Sequence, residues 1–212
     1  MNSAPHGSTT DEQPLYLAPP WEPHKTLAWL EKVLNVQSML FMTDLLPVIR
    51  QLLAGWPSDQ PVRVLDVGTG AGAGANLLGE LYSGAYPPLM QVDAIDIAGS
   101  YLAEYARAKF RYINYIVGDA LQLPAANPWD LVICSHTIEH IDEPFAFMAA
   151  LQRLARHWVL MYAPWNEQQL VDGHQNSIDE EYIRRTGATS WKTIDSRGWG
   201  PCVYFVLPGS AA

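Results

Sequence analysis

Cysteine is scarce in this chain: 212 residues hold two, Cys134 and Cys202, each inside a separate apolar run. Two cysteines exclude a disulfide framework and a paired-cysteine metal site, and both read as small buried hydrophobes. Basic residues are also few, 13 Lys and Arg against 22 Asp and Glu, giving a net charge of −9 with no basic run. Nucleic-acid affinity rests on lysine and arginine neutralising phosphates, so no nucleic-acid partner is expected. No apolar stretch reaches the roughly 18 residues that a membrane span needs, so no membrane partner is expected either. The first fifteen residues are polar rather than signal-like, and the expected location is cytoplasmic.

What is present fits one well-packed domain: 49% of the residues are hydrophobic, and there is no internal repeat. Residues 1–14, rich in Ser, Thr, Pro and charge, are expected to form a flexible tail. Residues 15–60 read as an N-terminal helical segment, with Leu27, Leu30, Val33 and Leu34, then Leu45, Leu46, Ile49, Leu52 and Leu53, at helical spacing. Pro47 is expected either to kink the second helix or to start it anew. Tyr16, Trp21, Trp29 and Phe41 read as packing residues. From residue 61 to 212 strands and helices alternate, which predicts a mainly parallel sheet with helices on both faces. SWKTID and CVYFVL, joined by the turn-rich SRGWGP, predict a closing hairpin with an antiparallel strand.

The most informative stretch is VLDVGTGAGAGA, residues 64–75, a buried strand that breaks after Asp66 into Gly68, Gly70 and Gly72. Without side chains these glycines can take positive φ and let a ligand lie against the backbone, at the N-terminus of the helix that follows. A second strand, VDAIDIA, carries Asp96 near its end; a third, INYIVGDALQLP, is followed by Asp119. In a parallel sheet these strand ends share one rim, where open α/β sheets bind ligands. Asp96 can accept from the two hydroxyls of a ribose and Asp119 from the exocyclic amine of an adenine. That is an adenosine site without a pyrophosphate cradle.

At these residues the chain resembles the Rossmann-like (class I) S-adenosylmethionine-dependent methyltransferases. The resemblance runs over residues 60–207 through DVGTGAG, Asp96, the GDA of Gly118–Ala120, DLVICSH and VLMYAP, in that order. It implies a Rossmann-like, doubly wound, seven-stranded α/β sheet with an antiparallel C-terminal strand. It also implies S-adenosylmethionine as cofactor: Gly68 and Gly70 under it in the turn that holds its methionine part, Asp96 on the ribose, Asp119 and Ala120 at the base, with Asp66, Ile97 and Ser135 also among the cofactor-binding residues. The N-terminal helices of such enzymes often roof the cofactor and the acceptor, which would make residues 15–60 a lid.

Methyl transfer from a sulfonium is an in-line displacement with a good leaving group, so the protein must supply alignment, dryness and sometimes a base. In SHTIEHIDEP, His136, Glu139 and His140 stand at i, i+3 and i+4, so one helical turn would present all three on one face. His140 is the first choice for general base, imidazole having an ordinary pKa of about 6.5. The pattern also resembles the metal-assisted O-methyltransferases, with His136 where that family has a glutamate and His174 as the late histidine. On that resemblance His136, Glu139, His140 and His174 would hold a divalent metal, and this donor set suits Mn, Fe, Co or Zn better than Mg. A structural role in shaping the loop is the third reading. Pro164, Trp165 and Asn166 are expected to help build the acceptor pocket, whereas Trp191 and Trp199 read as hairpin packing.

The expectation is therefore methyl transfer to an oxygen or nitrogen of a small-molecule acceptor. Two competing readings are an NAD-dependent oxidoreductase, disfavoured by Asp66 before the glycines and by the third acid Asp119, and a non-catalytic module that keeps the fold and the cofactor.

Overall fold

Seven strands assemble one sheet: β1 (Val62–Val67), β2 (Met90–Asp96), β3 (Ile113–Val117), β4 (Trp129–Ser135), β5 (Ala155–Pro164), β6 (Ser190–Ser196) and β7 (Gly200–Pro208). The computed structural model describes residues 27–84, 89–97, 100–126 and 128–210. The tail expected over residues 1–14, and Tyr16 and Trp21, lie outside the described residues. The strand order is β3-β2-β1-β4-β5-β7-β6, parallel from β3 through β5, with β7 antiparallel to both its neighbours. This is the doubly wound sheet and closing hairpin that the alternating pattern predicts.

Strand residues alternate between two cores because a parallel sheet is covered on both faces. Val62, Val64, Leu131 and Ile133 pack with helices α2 (Asn35–Leu52), α3 (Ala73–Leu81) and α4 (Ser100–Lys109). Leu65, Val67, Val132 and Cys134 pack with α5 (Pro144–Leu154) and α6 (Glu180–Thr186). Both cysteines are free and buried. Burial pushes the Cys134 thiol well above its ordinary value, which leaves it inert.

Over residues 27–52 the N-terminal segment is one continuous helix, the first of the two possibilities of one helix or two: a short α1 (Leu27–Trp29), a π-turn over Leu30–Leu34, and α2 running through Pro47. Pro47 neither ends α2 nor restarts it, because Leu45, Val48 and Ile49 around it are seated in the core. Polar ties fix where α2 lies. Asp44 Oδ2 accepts from Tyr162 Oη (3.0 Å) and Ser196 Oγ (2.7 Å), and Gln37 Nε2 donates to the Gly198 carbonyl (3.0 Å). The helix is thereby bound to β5 and to the tip of the β6–β7 hairpin, above the C-terminal rim of the sheet. No described helix is long and apolar enough to cross a membrane.

Candidate active site

The glycine turn after β1 has the conformation its sequence calls for: Gly68, Gly70 and Gly72 have φ of 72°, 60° and 90°. A side chain at Gly68 would also collide with Thr137, so this position needs glycine twice over. The turn is tied to β2 through Gly68 N–H to the Ile95 carbonyl (3.0 Å) and Gly70 N–H to Asp96 Oδ2 (2.7 Å). Tyr115 Oη donates to the Gly70 carbonyl (2.5 Å). Asp66 lies beneath, buried, accepting from Thr69 Oγ1 at 2.6 Å. Burial raises its pKa to about 7, with the Asp96 charge adding to the rise and the Thr69 hydroxyl opposing it.

Beside this turn lies a cavity of about 830 Å³ whose walls include Asp96, Ile97, Asp119, Ala120 and Leu121. Asp119 caps the 3₁₀ turn Ala120–Gln122, its Oδ1 accepting from Leu121 N–H at 2.8 Å. Ile97 is 80% exposed, an apolar side chain held open at the cavity's edge. Ser135 lines instead a second cavity of about 310 Å³ with Asp66, Thr69 and Gly70, and its buried hydroxyl has no hydrogen-bond partner. The two cavities share Gly68, His136 and His140 in their walls.

The smaller cavity contains the histidines. Glu139 and His140 sit on a 3₁₀ turn, Ile138–His140, directly after β4. His136 precedes that turn rather than belonging to it, because its N–H still bonds to the Tyr162 carbonyl of β5 (2.7 Å) and its φ is +48°. One helical turn therefore does not carry all three, as the spacing suggests. His136 reaches Glu139 by another route: its ring stacks on Phe41 (3.6 Å between centroids), with Nδ1 3.4 Å from Glu139 Oε1 and Nε2 3.6 Å from Cys202 Sγ.

His174 arrives on the loop after β5. That loop is bound to the Glu139 turn by Gln175 and Asn176 N–H groups on the Glu139 carbonyl (2.6 and 3.1 Å) and by Asn176 Nδ2 on the Ile141 carbonyl (2.7 Å). Glu139, His140 and His174 each offer a donor atom within 4.8 Å of the others. Nδ1 of His140 lies 2.9 Å from the Gly173 carbonyl, and Nδ1 of His174 lies 2.6 Å from Glu167 Oε2. Both partners are acceptors, so each Nδ1 carries a proton, and in the neutral ring Nε2 has the lone pair. Glu139 is 1% exposed and neither carboxylate oxygen has a hydrogen-bond partner. A buried, unsatisfied carboxylate beside two imidazole rings fits a divalent cation, and the mixed N/O set fits Mn, Fe, Co or Zn.

Other positions differ from expectation. Trp165 stacks on Trp191 (5.6 Å), and Asn166 accepts from Gln168 (2.8 Å); neither lines either cavity. Trp199, read as hairpin packing, instead lines the smaller cavity and stacks on His174 at 5.5 Å. Leu34, Gln37, Ser38, Phe41 and Met42 close the same cavity from the N-terminal helix. Glu167 and Gly173 escaped the sequence reading, because nothing in a lone glutamate or a carbonyl marks which histidine it faces.

Residues 65–160 match the family model described as a methyltransferase domain. No curated protein sequence matches the chain significantly. Among solved structures, magnesium protoporphyrin IX methyltransferase from Synechocystis PCC 6803, with bound S-adenosylmethionine, is 17% identical at a TM-score of 0.60, covering 88% of this chain and 86% of that one. The N-methyltransferase NodS from Bradyrhizobium japonicum WM9, in complex with S-adenosylhomocysteine, is 14% identical at 0.60, covering 85% and 90%. The CurJ carbon methyltransferase is 15% identical at 0.64, covering 86% of this chain and 57% of that one. Residues 65–160 thus resemble a methyltransferase domain, and the chain has the fold of the Rossmann-like, S-adenosylmethionine-dependent methyltransferases.

Proposed function

We propose that the chain transfers a methyl group from S-adenosylmethionine to a hydroxyl oxygen of a small, uncharged acceptor. S-adenosylmethionine is the cofactor: the larger cavity, lined by Asp96, Ile97, Asp119 and Leu121, would take its adenosine, with Asp96 to accept from the ribose hydroxyls, Asp119 from the adenine amine, and Ile97 and Leu121 as apolar lining for the base. The Gly68–Gly70 backbone and Asp66 border its methionine part. The two cavities meet at Gly68, His136 and His140, and the methyl group would be presented to the acceptor there.

The observation that carries oxygen over nitrogen is Glu139, a buried carboxylate with no hydrogen bond, beside His140 and His174. An amine that arrives neutral needs no base, whereas a hydroxyl must lose a proton. Glu139, His140 and His174 would hold a divalent metal, and a bound metal would lower the pKa of an acceptor hydroxyl and orient it. His136 then stands beside Glu139 as a neighbour. A metal-free variant of this reading makes His140 the base, supported by its Nδ1 contact with Gly173, which leaves Nε2 free to take the proton. In either form an oxygen–carbon bond would form as the carbon–sulfur bond breaks, its electron pair leaving on S-adenosylhomocysteine, and the hydroxyl proton would go to His140 or to solvent. Asp66, Glu139 and Asp172 line the smaller cavity, and among its described lining residues there is no lysine or arginine, which supports an acceptor without negative charge.

Two measurements test this. Titrating S-adenosylhomocysteine into the protein should give binding of about −8 kcal/mol, the micromolar range, that Asp96→Ala abolishes; no binding overturns the cofactor site. Incubation of the protein with labelled S-adenosylmethionine and small hydroxylated aromatics should yield labelled methyl ethers, and loss of the label on chelation with recovery on adding Co²⁺ or Zn²⁺ supports the metal over His140 alone. Transfer to amines only would overturn the oxygen assignment.

A further inference from the structure

Glu167 belongs to no glycine turn, strand-end acid or histidine cluster, yet its carboxylate meets His174 Nδ1 at 2.6 Å. We infer that Glu167 is a positioning residue, which locks His174 in the Nδ1-protonated tautomer and so presents the Nε2 lone pair to Glu139 and His140. This rests on the reading above, that the three residues are the acceptor-activating centre.

The contact is buried, with the His174 side chain 4% exposed and that of Glu167 11%. Water therefore does not compete for the imidazole N–H, and a single hydrogen bond decides the tautomer. The chain is built to make it. Asn166 turns the backbone at φ +51° while its N–H bonds to the Ile178 carbonyl (2.9 Å), which sends Glu167 back toward the loop seven residues on. From the other side, His174 N–H bonds to the Val171 carbonyl (2.9 Å), and Trp199 stacks on the ring (5.5 Å). The ring plane is set by Trp199 and its rotation by Glu167. His140 has the analogous partner in the Gly173 carbonyl, next in sequence to His174, so one loop orients both imidazoles. Outer partners of this kind, a carboxylate on one ring nitrogen with the other nitrogen facing the site, are what fixes a histidine for ligation or proton uptake.

The test compares wild type with Glu167→Ala and Glu167→Gln, the latter keeping an oxygen that can accept the N–H. Nitrogen NMR of the His174 ring at pH 8 reads the tautomer without any metal, and Co²⁺ titration followed by its visible spectrum reads the site. Wild type and Glu167→Gln should show the Nδ1-protonated form, and Glu167→Ala a mixture. Co²⁺ affinity should fall about ten- to a hundredfold in Glu167→Ala and less in Glu167→Gln, with S-adenosylhomocysteine affinity unchanged as the check on folding. An unaltered tautomer in Glu167→Ala overturns the inference even where wild type binds Co²⁺. If wild type binds no Co²⁺ while the tautomer still changes, the metal reading fails and the positioning role stands.

Discussion

The two ends of strand β4 each bury an acid, and the acids are treated in opposite ways. Asp130, near its start, is 2% exposed and fully employed: Oδ1 pairs with Arg156 Nη1 at 2.7 Å, and Oδ2 accepts from Arg63 N–H at 2.9 Å. Glu139, just beyond its end, is 1% exposed, and its nearest basic group is His136 Nδ1 at 3.4 Å, outside hydrogen-bond geometry. Burial is the same; satisfaction is not. Glu139 receives no hydrogen bond to offset the cost of its burial, whereas Asp130 joins β1, β4 and β5 at the rim away from the cavities.

Activity should respond most when the unsatisfied acid is removed. Glu139→Ala is expected to lower methyl transfer by about 10²-fold or more, with an apo melting temperature unchanged or raised; a clear fall in melting temperature would place Glu139 with Asp130 as a structural acid. The converse change sharpens the contrast. Asp130→Ala should destabilise the fold by about 2–3 kcal/mol in denaturant unfolding, less than a wholly buried pair would lose because Arg156 is partly exposed, while S-adenosylhomocysteine affinity is retained.

Asp66 lies between these extremes, with one hydroxyl bond and a pKa raised to about 7. The folded state holds this proton more tightly than the unfolded chain does. Its burden on stability is therefore absent below the ordinary 3.8, grows as pH rises, and is complete above about 7. Asp66→Asn should accordingly gain about 1–2 kcal/mol over wild type at pH 8 and almost nothing at pH 4 in apo unfolding measurements; an equal gain at both would contradict the assignment. The smallest effect is expected at Trp199, 38% exposed over His174. Trp199→Ala should raise the KM for an apolar acceptor by several-fold with stability nearly constant, in steady-state kinetics across an acceptor series.

The sequence by itself determined the sheet and the glycine turn at its C-terminal rim. Strand and helix periods follow from which residues must face two cores, so the β1–β5 order of elements and the closing hairpin are legible from local patterning alone. The glycine turn is legible for the same reason: positive φ at Gly68, Gly70 and Gly72 is a property of residues that lack a Cβ. Even the nearness of Glu139 to His140 follows from adjacency in the chain. Tertiary structure decided the rest, because it depends on which loop closes over which rim. It drew Glu167 onto His174, moved Trp199 from hairpin packing to a cavity wall, and sent Trp165 away from the site onto Trp191. It also kept His136 on the strand ladder and outside the helical turn that its spacing suggested. Local propensity fixes how a segment folds, whereas the partner of a buried imidazole is chosen by long-range hydrogen bonds between loops that no periodicity records.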